Sequence, residues 1–341
     1  MKKRLFSLVL ASVMALSMVA CGSGAASETD ATATVDENST ETTTASADAT
    51  VYNVGVLQLV EHPALDAATQ GFQDALKEKL GDNVNITVQN ASGDSATCAT
   101  IANQYVSEGV DLIMANATAA LQSACAATNT IPVLGTSITD YGTALSMSEW
   151  TGTTGINVSG TSDLAPLDKQ AEMLNEIFPD VKTVGILYCT AEANSKYQAD
   201  VITGYLSDYG YEVKEFTFND TNDVASVTTS ACSECEVLYI PTDNTAASCT
   251  EAIQNVALPA GIPIIAGEEG ICSGCGVATL SISYYDLGYE TGLMAYEVLA
   301  EGADPATMDI RFAPAVTKKY NAANCDELAV TVPDGYEAIA E

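Results

Sequence analysis

The sequence predicts an α/β protein of two similar lobes, each built on a mainly parallel sheet, and three observations carry that prediction. From residue 51 onward, short apolar runs alternate with segments of helical period; linkers of that length suit parallel neighbouring strands. The runs are nearly continuous in apolar residues, which fits strands covered on both faces. The pattern then restarts. TVGILY at 183–188 echoes NVGVLQ at 53–58, EVLYIPTD at 236–243 echoes VDLIMANA at 110–117, and PIIAGEE at 263–269 echoes PVLGTSI at 132–138, in the same order. With 341 residues the chain has room for about two domains.

The chain opens with Lys2, Lys3 and Arg4 before an apolar run at 5–16. That run is too short to span a membrane and reads as an export signal. Met18, Val19, Ala20 and Cys21 resemble a bacterial lipobox, with Met18 where leucine is usual. The likeness implies a signal peptide over residues 1–21, lipid on Cys21, and anchoring to the outer face of the cytoplasmic membrane. Residues 22–50 are rich in Ala, Thr, Ser, Asp and Glu without one basic residue. Such a segment cannot bury enough apolar surface to fold. As a coil it spaces the folded part on the order of 30 Å from its anchor.

Residues 51–59 form the first predicted strand, and Gln58, Glu61 and His62 gather at its carboxyl end. Pro63 suits the first turn of a helix, where its missing N–H costs nothing, and Leu65, Ala68, Phe72, Ala75 and Leu76 recur at helical spacing until Gly81. Further strands are predicted at 85–89, at 110–114 and from 131. Ser95 is expected to cap the second helix, and residues 119–127 to form the third. Ligands of open α/β sheets bind outside the carboxyl ends of the strands. The first lobe offers polar strand ends at 58–62, 116–118 and 136–140, and the second at 190–195, 242–244 and 267–269. Facing one another, they make a cleft whose candidate ligand-binding residues are Gln58, Glu61, His62, Thr118, Thr136, Asp140, Tyr188, Asn194, Ser195, Thr242, Asp243, Asn244, Glu268 and Tyr284.

Twelve basic against 45 acidic residues give a formal charge of −33, which opposes attraction to nucleic acid. Arginine occurs only at positions 4 and 311, so no arginine clamp on an anion exists. A single histidine, His62, rules out a His-pair metal site, and no G-x-S-x-G or G-x-x-x-x-G-K-[ST] motif is present. The strand-end acids fit binding better than catalysis. The reading is therefore a binding protein, not an enzyme, without cofactor or metal. A surface enzyme using the cleft carboxylates is the rival from another class. Besides Cys21 there are nine cysteines, including C-x-x-C at 232–235 and 272–275. Local disulfides, free thiols and a zinc site all remain open for them.

VGVLQLVEHPALDAATQGFQDAL (54–76), VGILYCTAEANS (184–195), YIPTDNT (239–245), GEEG (267–270) and SYYDLGYETG (283–292) together resemble solute-binding subunits of ABC importers, in the family that includes tryptophan- and tyrosine-binding lipoproteins. The likeness implies a type I periplasmic-binding fold, in which two Rossmann-like lobes joined by a three-crossing hinge close on a ligand. The crossings are expected near 157–161, 281–284 and 310–313. That gives a first lobe of 51–158 plus 281–309 and a second of 159–280 plus 310–341. The resemblance further implies a monomer that serves a membrane permease and binds an aromatic amino acid. A sugar, nucleoside or signal-molecule receptor of the same fold is the alternative. For the amino acid, helix starts at Thr118 and at Asn194 and Ser195 would meet the carboxylate. Glu61 and Asp243 would take the ammonium, and Leu59, Tyr188 and Tyr284 would flank the ring, with Trp150 at the rim.

If Cys21 carries lipid, the wild-type protein will partition with membranes and Cys21→Ser will give a soluble or unprocessed product. More than one acyl chain is needed for stable retention. Wild-type protein found wholly in the medium would contradict the anchor.

Overall fold

A computed structural model describes residues 50–148, 151–313 and 315–340. Cys21 with its signal segment, the linker as far as residue 49, and Trp150 lie outside the described residues.

The first lobe begins with β1 (Tyr52–Gln58) and α1 (Pro63–Leu80), followed by β2 (Val84–Asn90), α2 (Ser95–Glu108), β3 (Leu112–Asn116), α3 (Thr118–Ala127), β4 (Val133–Ile138), α4 (Tyr141–Ala144) and β5 (Val158–Ser162). The interior strands β3 and β4 are buried at every position, whereas the edge strand β2 is largely exposed, as expected of a parallel sheet sandwiched between helices. The predicted stripe of α1, Leu65, Ala68, Phe72, Ala75 and Leu76, is buried. Asp94, rather than Ser95, caps α2 by accepting the Thr97 N–H. The carboxylate competes better than a hydroxyl for that donor at the positive helix end.

The second lobe repeats the plan with α5 (Leu167–Ile177), β6 (Thr183–Cys189), α6 (Ala193–Asp208), β7 (Glu212–Phe218), α7 (Val224–Glu234), β8 (Val237–Ile240), α8 (Asn244–Ala247), α9 (Thr250–Ala260), β9 (Ile264–Ala266), α10 (Glu269–Cys275) and β10 (Ala278–Ser281). The chain then returns through α11 (Tyr284–Glu301) and β11 (Arg311–Phe312) to the first lobe. It finishes with β12 (Thr317–Tyr320), α12 (Ala322–Glu327) and β13 (Glu337–Ala338) in the second. The first sheet runs β11-β5-β4-β3-β1-β2 and the second β13-β12-β10-β9-β8-β6-β7. Among the paired strands, only β10 with β12 is antiparallel. Within each lobe the first five strands thus take the doubly wound order 2-1-3-4-5, whose switch point lies between β1 and β3 in one lobe and between β6 and β8 in the other.

The crossings lie slightly later than the sequence suggested. β5 sits wholly in the first sheet, so the first crossing is at 163–166 and not within 157–161. β11 pairs with β5 in the first sheet, so the chain leaves that sheet after Phe312, and the tail of the second lobe begins with β12 at Thr317. The cause is backbone pairing. An apolar pattern marks a strand but not the sheet in which it finds its partner. Ala165, Ile282 and Ala313, one from each crossing, join Ala64, Ala68, Tyr284 and Leu287 in a single apolar cluster. The arginine of this region is occupied structurally, Arg311 meeting Glu290 and Glu297 of α11 at 2.7 Å each.

All nine cysteines from Cys98 to Cys325 are free thiols. Cys232 lies in the last turn of α7 with Cys235 just past its end, and Cys272 and Cys275 both lie in α10. Burial pushes the thiol of Cys98, and likewise that of Cys325, up to about 11, away from the reactive thiolate. Among the described residues no group of His, Cys, Asp and Glu side chains is arranged to hold a metal ion.

α11 is held to the first lobe by backbone contact with α1. A Cβ on Gly288 would stand 1.9 Å from the Ala68 carbonyl oxygen, and one on Gly71 would stand 2.1 Å from that of Tyr285. No rotamer relieves such an overlap, so the helices would have to separate. Gly288→Leu is expected to lower stability by about 3 kcal/mol, at the upper end of overpacking costs, read as a fall in the urea midpoint. An unchanged midpoint would show that the two helices are not in this contact.

Candidate ligand-binding cleft

β1 delivers the chain to His62, which stands in extended backbone ahead of Pro63 at the start of α1. Across the cleft, the chain leaves β8 at Ile240 and passes through Thr242 to Asp243, the cap of α8, which Asn244 begins. His62 Nε2 lies 3.2 Å from Asn244 Oδ1. Asn244 also gives its Nδ2–H to Glu192 at 2.7 Å. Its oxygen is thereby turned toward His62, so His62 donates from Nε2 and keeps Nδ1 as a bare acceptor. Burial holds the His62 pKa below its usual value, keeping the ring neutral. The Thr139 and Thr242 hydroxyls, 3.4 Å apart, and Gln198 Nε2, 3.4 Å from the Thr139 hydroxyl, also bridge the lobes.

Between these contacts lies a cavity of about 10 Å³ lined by His62, Ser137, Asp163, Asn194, Thr242 and Asp243, with Asn244, Ala247, Glu268 and Tyr284 completing its wall. Three buried polar atoms in this lining have no hydrogen-bond partner: His62 Nδ1, Ser137 Oγ and Asp163 Oδ1. An unsatisfied buried donor or acceptor costs about 1–3 kcal/mol, so three around one small space single it out. Asp163 Oδ2 accepts from the Tyr284 hydroxyl at 2.8 Å. Burial raises the Asp163 pKa, against the opposing pull of the Tyr284 and Thr139 hydroxyls.

Two further carboxylates are buried here but already committed to helix starts. Asp243 accepts the N–H groups of Ala246 at 2.8 Å and Cys189 at 2.7 Å, and burial, with the charge of Glu192 nearby, pushes its pKa up to about 8. Glu268 accepts the N–H groups of Gly270 and Ile271, and burial raises it to about 7. Glu192 organises the second-lobe wall. One of its oxygens takes the Asn244 N–H, Asn244 Nδ2 and Asn194 Nδ2; the other takes the N–H and hydroxyl of Thr245.

Of the residues expected at the cleft, His62, Asn194, Thr242, Asp243, Asn244, Glu268 and Tyr284 come together around this cavity. Others do not. Gln58 is used inside the first lobe by Val60, Asp66 and Thr69, and the exposed Glu61 stands beside it at a separate surface depression. Thr136 bonds to Thr161 within the sheet, and Asp140 caps α4 through the Thr143 N–H. Tyr188 is buried in the second-lobe core with its hydroxyl on Glu215, so it cannot flank a ligand. Ser195 is fully buried beneath Asn194, and Thr118 opens α3 without reaching this cavity. Leu59 faces a different interlobe groove.

Sequence reading missed Ser137, Asp163 and Glu192. Regular alternation would send Thr136 and Ile138 to one face, but β4 slips register against β5 between Gly135 and Ile138, and Ser137 takes φ +56°. That left-handed turn aims its hydroxyl into the cleft. Ala117, at φ +87°, marks a second non-glycine distortion at a strand end of the same lobe; such strain costs of order 1–3 kcal/mol and gathers at functional sites. The signal for Asp163 was present as an isolated acid at the crossing in SGTSDLAP.

Residues 53–341 match the family described as ABC transporter substrate binding protein. A "Tyrosine-binding protein" of Clostridioides difficile is 38% identical over 308 residues, 87% of this chain and 84% of that protein. The crystal structure of an ABC domain in complex with L-Trp from Streptococcus pneumoniae is 34% identical, covers 85% of this chain and 100% of its own, and superposes with a TM-score of 0.81. The ligand-free, open structure of a substrate binding protein with adhesive properties from Clostridium difficile is 36% identical over 85% of this chain and 99% of its own, with a TM-score of 0.65. At nearly equal identity and coverage, the chain superposes more closely on the relative solved with L-Trp than on the open, ligand-free one. Together with the paired doubly wound sheets, these matches place the chain in the family of ABC transporter substrate binding proteins, with a type I periplasmic-binding fold.

Proposed function

We propose that this family member is a lipid-anchored, extracytoplasmic binding subunit that closes its two lobes on an aromatic L-amino acid and delivers it as a monomer to a membrane permease. The observation that carries the ligand class is the pair of unpartnered acceptors, His62 Nδ1 and Asp163 Oδ1, lining one interlobe cavity. An ammonium group has three donors and a positive charge. It satisfies both acceptors and compensates an acidic site that has no cation of its own among its lining residues. The unpartnered Ser137 hydroxyl supplies a donor for the carboxylate. This assignment moves the ammonium partner from Glu61 and Asp243 to Asp163. Glu61 is remote from the cavity, and both Asp243 oxygens are held by backbone N–H groups.

The side-chain class is supported by the relatives, one called tyrosine-binding and one solved with L-Trp. A membrane anchor is compatible with the fold, since no described helix is long and apolar enough to cross a membrane itself. The lobes close through side chains of modest strength, the His62–Asn244 and Thr139–Thr242 contacts, so a ligand that bonds to both lobes can shift the open–closed equilibrium.

Calorimetry is expected to detect L-tryptophan, L-tyrosine or L-phenylalanine. Asp163→Asn, which keeps an acceptor for Tyr284 but loses the charge, should weaken binding at least tenfold, about 1.4 kcal/mol. N-acetyl-L-tryptophan, lacking the ammonium, should not bind. Binding of a neutral sugar with no response to the three amino acids would overturn the assignment and leave the fold intact.

The second prediction for this site is closure itself. Ligand at about 100 times its dissociation constant should add roughly 2.7 kcal/mol of stability and compact the protein in X-ray scattering. A rise in melting temperature without compaction would refute the clamp.

A further inference from the structure

Resting on the amino-acid reading above, we infer that the binding site has two compartments, and that its side-chain compartment admits aromatic amino acids with bulky ring substituents. The cavity that gathers the unpartnered polar atoms measures only about 10 Å³. Beside it lies a second cavity of about 650 Å³, partly open to solvent, and the two share Ala247, Glu268 and Tyr284 as walls. Tyr284 spans them. Its hydroxyl bonds to Asp163 on the polar side, while the residue also lines the larger space. Of the two interlobe spaces that share a wall with the polar cavity, this one is about three times the size of the groove at Leu59 and Asn244, about 220 Å³, so it has the more room for a ring beside a head held at Asp163.

The larger compartment mixes small apolar side chains with polar ones, among them Thr250, Ser283 and Thr317. Ala64 and Ala67 of α1 come from the first lobe, and Ala247 and Gly270 from the second. These side chains end at Cβ or have none, which leaves room between the lobes beside Tyr284. The compartment's volume falls within the range of about 300–1,000 Å³ typical of drug-sized ligands, more than one aromatic ring fills. Glu269 and Lys319, paired at 2.7 Å, also line it, with the Ser281 hydroxyl on Glu269. A ring substituent that extends past the alanines thus meets groups able to donate and accept hydrogen bonds, and the opening to solvent removes a hard length limit.

The larger compartment also explains why the two cooperate. Because its walls belong to both lobes, a ring placed there is gripped only when the lobes close, while the polar head is gripped by the neighbouring cavity in the same motion.

The test is calorimetry of L-tryptophan and 5-benzyloxy-L-tryptophan on the full chain and on Ala67→Phe, which fills the larger compartment from a half-buried position without touching the polar cavity. The wild type is expected to bind the two ligands within tenfold of each other. Ala67→Phe should weaken the benzyloxy compound at least thirtyfold while keeping a wild-type melting temperature. Ala64→Phe, from the same helix, should reproduce that loss if Ala67→Phe proves unstable. Tryptophan binding with the benzyloxy compound more than a hundredfold weaker, or with both variants leaving its affinity unchanged, overturns the two-compartment site but spares the amino-acid reading. Absence of binding by any aromatic amino acid overturns both.

Discussion

The arrangement between the lobes turns on the burial of acid without base. Asp163, Glu192, Asp243 and Glu268 are each less than a tenth exposed, and the surrounding cavity wall contains no lysine or arginine. A buried carboxylate is tolerable only when donors surround it or its charge is removed. Three of these groups are served by backbone and amide N–H groups of α8, α10 and the turn into α6, which fixes those turns rigidly. Asp163 alone keeps an oxygen without a partner. The site is thus preorganised on one side, with most of its charge spent on holding its own walls, and unsatisfied on the other.

That division explains why a residue can line the site without being the group that recognises a ligand. Asp243 and Glu268 line the cavity but act as helix caps; removing either would disturb the wall as well as the charge. Glu192 acts at one remove, orienting Asn244 so that its oxygen meets His62 across the cleft. The chain of contacts from Glu192 through Asn244 to His62 couples the turn geometry of one lobe to the tautomer of a histidine in the other.

The hinge supplies the complementary constraint. Its three crossings meet in one apolar cluster, and the close α1–α11 contact ties the returning helix to the first lobe through backbone atoms. The connections between the lobes are therefore short segments whose side chains pack together. The interlobe polar contacts are few and long by comparison, so closure is a small free-energy difference that a ligand can decide. The large negative charge of the chain bears on solubility and takes little part in this balance, since its ion pairs lie mostly at the surface.

The sequence by itself determined the two lobes, because strand periodicity, helix spacing and the repeated order of motifs are local or translational signals that survive without coordinates. It also located strand ends that meet between the lobes, and with them His62, Asn194, Thr242, Asp243, Asn244, Glu268 and Tyr284, which line the small interlobe cavity. Tertiary structure alone decided which polar groups were already satisfied. Thr136 and Ser137 are neighbours with similar hydroxyls, yet a register slip and a left-handed backbone send one into the sheet and the other into the cleft. Tyr188, expected at the cleft, lies in the second-lobe core, while Asp163, absent from the expected residues, lines the cavity. Whether a side chain faces core or cavity depends on what packs against it from distant parts of the chain, and a hydrogen-bond vacancy is a property of the whole neighbourhood, which no single stretch of sequence records.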